Sequence, residues 1–107
     1  MSIYVVACFY LRFRQGETQK KDNFYRAVYL SERSVHDLLE KISFKQCIDP
    51  KRIVRVFRIK QDSLKIIVDD DVVRELPDGQ AIDVDLSEEF DGTDDSKEPT
   101  IELMLSY

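Results

Sequence analysis

Tryptophan is absent from the 107 residues, histidine occurs once, and cysteine only twice, at Cys8 and Cys47. A Cys/His zinc site needs about four ligands, so an intrachain one fails on count, and the two cysteines form no CxxC unit. Both thiols lie in or beside apolar residues and read as small buried hydrophobes. His36 has no serine or cysteine at a local spacing that implies a triad. The three glycines stand alone, which excludes a Gly-rich phosphate loop. Asp69-Asp70-Asp71 lacks the alternate spacing and following glycine of a calcium loop and suits helix capping instead. No apolar run approaches the ~20 residues of a membrane helix. The apolar N-terminus has no basic leader before Arg12 and Arg14. The expectation is a soluble, intracellular chain with no cofactor, no metal, no small-molecule ligand and no enzymatic activity.

What is present is a core. Apolar residues make up 43% of the chain, with five tyrosines and six phenylalanines. Residues 1–107 are therefore read as a single domain. The net charge of −5 hides an asymmetry. Residues 1–65 carry 14 Lys/Arg against 7 Asp/Glu, a net of +7, whereas residues 66–107 carry 2 against 14, a net of −12. Two readings stand open: two solvated faces, or a bipolar surface that attracts a second copy or a partner in a fixed orientation.

The local patterns predict an ordered series. Residues 3–14 and 24–30, rich in β-branched and aromatic types, read as a β-hairpin. Val35, Leu38, Leu39 and Ile42 fall at helical spacing, with Ser34 and Asp37 in a capping-box position, Ser31 as a competing cap, and an end near Gln46. Residues 52–60 read as a third strand whose broken alternation implies a bulge or an edge. Residues 64–68 are a short fourth strand, 69–76 a helical turn closed by Pro77-Asp78-Gly79, 81–86 a short exposed strand, and 100–107 the last. Residues 87–98, with six acids and one lysine, read as an acidic flexible loop. This order is that of an α+β, ubiquitin-like β-grasp: a mixed sheet with one helix packed on one face. The last strand is expected beside the first at the sheet centre.

Alternation then divides the strands. Ile3, Val5, Ala7, Phe9, Leu11 and Phe13 should meet the helix, joined by Val28, Leu30, Ile101, Leu103 and Leu105. The opposite face displays Tyr4, Val6, Cys8, Tyr10, Tyr25, Ala27, Tyr29 and Met104. A contiguous tyrosine-rich patch marks an interaction surface. Cross-strand aromatic pairing, a covering by residues 87–98, or a register slip of one residue are the competing explanations. A second candidate is the basic cluster Lys51, Arg52, Arg55, Arg58, Lys60 and Lys65. Only Phe57 is interleaved with it and the chain's pI is near 4.9. Direct nucleic-acid binding is therefore not expected, and the cluster reads as a basic edge facing acids within the fold or on a partner.

The segments DNFYRAVYLSERSVHDLLEKIS, IDPKRIVRVFRI and LKIIVDDDVVRELPDGQ, with the opening VACFYLRF, resemble the C-terminal domain of Grainyhead-like transcription factors, particularly fungal members. The resemblance covers roughly residues 4–86. It implies a ubiquitin-like dimerisation domain in a nuclear protein whose separate upstream domain binds DNA. The expected function is homodimerisation, joining two DNA-binding domains through Tyr4, Val6, Cys8, Tyr10, Tyr25, Tyr29 and Met104. The alternative is an adaptor that binds a heterologous protein through its basic third strand, with Arg52, Arg55, Arg58 and Lys60.

Overall fold

The computed structural model describes residues 4–15, 24–60, 63–89 and 99–107. Strands β1 (Ala7–Gln15) and β2 (Arg26–Leu30) form the opening antiparallel pair. Helix α1 (Val35–Gln46) follows, then a 3₁₀ turn at Pro50–Arg52, β3 (Ile53–Ile59), β4 (Lys65–Ile67) and the short helix α2 (Asp70–Glu75). Strands β5 (Ala81–Glu89) and β6 (Thr100–Ser106) complete a six-stranded mixed sheet of order β2-β1-β5-β6-β3-β4. The architecture is α+β and β-grasp-like, with one main helix.

The helix forms where its apolar spacing and its cap agree. Leu38 and Ile42 are fully buried, with Val35 and Leu39 partly so. Each such side chain contributes on the order of 1.5–3 kcal/mol by leaving water. Ser34 is the N-cap, its Oγ accepting from the Asp37 amide. Asp70, in the first turn of α2, accepts a further free amide of α1 from Val35. The helix ends at Cys47, which adopts the left-handed conformation (φ 55°). Cys47 is therefore exposed, against the expectation of a buried thiol, because a C-terminal cap residue projects outward.

Asp37 ties the helix to the segment before it. Its carboxylate accepts from the amides of Ser31 (2.8 Å) and Glu32 (3.2 Å) and lies 3.3 Å from Lys41 Nζ. Burial acts to raise its pKa, but the two amides and the lysine outweigh burial, and the net direction is down. A depressed folded pKa means that the contribution is present above the ordinary carboxylate range and is lost as pH falls through the lower folded value. Asp37→Ala should lower the unfolding free energy by about 1–3 kcal/mol at neutral pH. In urea titrations the gap between the two chains should narrow on acidification. Equal midpoints at neutral pH would remove any stabilising role for these contacts.

Three strand expectations are corrected. The first strand begins at Ala7, so Val5 is exposed, and Ile3 lies outside the described residues. The segment at 81–86 is not a short exposed strand: β5 runs to Glu89 and buries Ile82, Val84 and Leu86. Nor does the last strand pair with the first. Strand β5 lies between them, parallel to β1 and antiparallel to β6. Its alternation explains the choice. One face carries Ile82, Val84 and Leu86 and suits the core, while the other carries Asp83 and Asp85 opposite Arg12 and Arg14 in register. Residues 87–89 of the acidic stretch therefore belong to a strand, and 90–98 lie outside the described residues.

The turn before β5 is latched onto β1. Asp78 Oδ1 accepts from the Cys8 amide at 2.6 Å, and the Gly79 amide donates to the Cys8 carbonyl at 2.7 Å. Gly79 has φ +85°, which favours glycine. In β3 a bulge between Ile53 and Arg55 leaves Val54 exposed while Ile53 and Val56 stay buried. The bulge is the realised explanation of the broken alternation, since β3 is interior and β4 forms the edge.

Candidate interaction site

Both helices contribute to one core: Leu38 and Ile42 of α1 pack in the same cluster as Val73 of α2, Phe9, Leu11, Val84 and Leu103. The other face of the sheet has no helix over it among the described residues. Register places its side chains in rows.

At the β2–β1 end stand the tyrosines. Cys8 is opposite Tyr29, and Tyr10 is opposite Ala27 on one side and Ala81 on the other. Tyr10, Tyr25 and Tyr29 are 43%, 44% and 55% exposed. Tyr10 therefore stands between two methyl-sized neighbours. Tyr4 and Val6 precede β1 and are exposed. The Val6 amide donates to Leu30 O at 2.8 Å, which holds this end against β2. The Tyr10 phenol is held above its ordinary range by its neighbour Cys8, first electrostatically and then through a hydrogen bond. It stays neutral at physiological pH.

The middle of the face is ionic. Arg12 donates to both oxygens of Asp83 at 2.8 and 3.0 Å, and its guanidinium lies 4.9 Å from the centre of the Tyr25 ring. Arg14 Nε lies 2.6 Å from Asp85. The Asp83 hydrogen bond is the first cause holding Arg12 charged. Beyond these pairs, Met104 lies opposite Asp85 and Phe57, and Phe57 opposite Ile67. Met104 is thus separated from the tyrosines by β5, and its apolar neighbours are on β3 and β4. The structure joins Tyr10, Cys8 and Tyr29 on two adjacent strands, with Tyr25 just before β2 and Val6 and Tyr4 before β1, and sets Met104 apart.

The ladder of Arg12, Arg14, Asp83 and Asp85 was legible as two alternating runs, LRFR and AIDVDL, of opposite sign and equal period. Their pairing was not. With Arg52–Glu88 at 3.8 Å and Arg55–Glu102 at 3.4 Å, these contacts join bases of the first half to acids of the second. Part of the charge asymmetry is thus satisfied inside the chain.

The four basic residues of the second candidate do not converge. Arg52 also donates to Pro99 O at 3.0 Å. Arg55 lies on the open face beside Glu102, whereas Arg58 is opposite the core residue Leu105. The Arg58 guanidinium stacks 4.0 Å over the Tyr107 ring. Burial is the leading cause that pushes the Tyr107 phenol up. Lys60 is exposed beyond β3. His36 is exposed on α1, with Glu40 as its neighbour at 4.0 Å. Among the described residues no group of three or more His, Cys, Asp or Glu is placed to hold a metal, and no helix is long and apolar enough to cross a membrane.

Residues 9–104 match the family model described as GRHL1-like, C-terminal domain. No curated protein and no solved structure matches the chain significantly.

Proposed function

The chain belongs to the Grainyhead-like family as its C-terminal domain, and from that premise we propose that it is a homodimerisation domain. The family is one of transcription factors, not of enzymes. Two copies would meet through the face bearing Tyr4, Val6, Cys8, Tyr10, Tyr25 and Tyr29, joining two upstream DNA-binding domains in a nuclear protein. Joining the two raises effective DNA affinity with no DNA contact from this domain.

The observation that carries the reading is the exposed Tyr10 between Ala27 and Ala81, on a sheet face that no helix covers among the described residues. A twofold axis brings a patch onto its own copy. A large side chain set between small ones can interdigitate with its symmetry copy. Tyrosines are also the side chains that interfaces favour, since a large apolar ring carries a polar tip.

Light scattering coupled to size exclusion tests this. The expected mass is twice 12.6 kDa. The dimer should be insensitive to salt, because Arg12 and Arg14 are already paired within the chain and apolar burial is unscreened. A species that dissociates between low and moderate salt would instead favour contact through the basic residues of β3. A monomer at all concentrations would defeat self-association by this chain alone.

A further inference from the structure

A second surface lies at the sheet's outer edge. Strand β2 ends the sheet, so one of its backbone edges has no strand beside it among the described residues. Along it runs a groove of about 560 Å³, lined by Val5, Ala27, Val28 and Tyr29 on the strand side and by Lys41, Phe44 and Lys45 of α1. Phe44 is 81% exposed, although the other apolar residues of its helix are buried or partly buried. Among the described residues, the groove's charged lining residues are the two lysines. Lys41 neighbours Asp37, and Lys45 has no ion pair among the described residues.

We propose that this groove takes an extended peptide segment of a heterologous protein, apolar in its centre and acidic at its ends, as an added strand on β2. The open backbone edge supplies hydrogen bonds to any extended chain. Val5 and Phe44, both exposed, offer apolar contact to side chains that point toward the helix. The lysines select acidic flanks. They also argue against a second copy of this chain, because a twofold contact here would set Lys41 and Lys45 against like-charged neighbours. The inference goes beyond dimerisation and stands independently of it, although Tyr29 borders both surfaces.

The probe is a short synthetic peptide with a Val/Ile centre and aspartates at both ends, titrated into isotope-labelled domain. Amide shifts are expected at Val28, Tyr29, Phe44 and Lys45, with slowed exchange along β2. Replacing one central residue of the peptide by proline removes a backbone donor and should abolish binding. Lysine-ended peptide should bind at least about tenfold more weakly, as should the aspartate-ended peptide to Lys45→Glu or Phe44→Ala domain. A Tyr10→Asp domain should bind as the native one does, which separates this result from the dimer. The proposal is overturned by shifts centred elsewhere, by equal binding of the proline or lysine-ended peptides, or by no binding at millimolar concentration.

Discussion

A Tyr10→Asp variant is expected to run as a 12.6 kDa monomer at concentrations where the native chain is dimeric. Tyr10 is 43% exposed in the single chain, so the fold does not need its ring, and circular dichroism and melting should change little. In the proposed dimer the same ring is at the centre of the contact. An aspartate there loses the ring's buried area and places an unpaired carboxylate in a desolvated patch. Central interface tyrosines cost about 2–4 kcal/mol on truncation, and a buried unpaired charge adds to that. The dissociation constant should rise by about 30- to 1,000-fold or more. Tyr10→Phe keeps the ring and should remain dimeric. If Tyr10→Asp stays dimeric with its fold intact, the open face is not the interface.

The second large effect concerns β5, which lies between β1 and β6. Val84 is fully buried, opposite Phe13 of β1 on one side and Leu105 of β6 on the other. Proline removes a ladder hydrogen bond and is tolerated essentially only on edge strands or at bulges. Val84→Pro should therefore abolish cooperative unfolding and near-ultraviolet tyrosine signal. The milder Val84→Ala should cost on the order of 1.5–3 kcal/mol, a sizeable part of the ~5–15 kcal/mol that holds a domain folded. Had β5 been a short exposed strand, both changes would be nearly silent. A well-folded Val84→Pro chain would contradict the central position of β5.

Local chemistry was legible residue by residue. Val35, Leu38, Leu39 and Ile42 marked α1, and Ser34 marked its start, because a helix repeats every 3.6 residues and its first amides need a nearby acceptor. Alternation likewise placed Phe9, Leu11, Val28 and Leu103 inside and Tyr10, Tyr25 and Tyr29 outside, since side chains in a strand alternate faces whatever lies beside it. The same alternation in AIDVDL was read correctly as a strand and wrongly as exposed. An isolated strand with one polar face looks identical whether that face meets water or a row of arginines.

The ordered segments carried the β-grasp-like class and the family resemblance, and the amino-acid sequence alone determined the order of strands and helices and which face of each is apolar, though not where β1 begins or β5 ends. Those properties depend on neighbours within a few residues. Only the tertiary structure decided that β5 lies between β1 and β6, that Asp83 and Asp85 neutralise Arg12 and Arg14, that Met104 sits apart from the tyrosines, and that Tyr10 rises between two alanines. Strand order and cross-strand partners join residues some 70 positions apart, as in Arg12–Asp83. Pairings over that distance are selected by the packing of the whole sheet, and no local spacing records them.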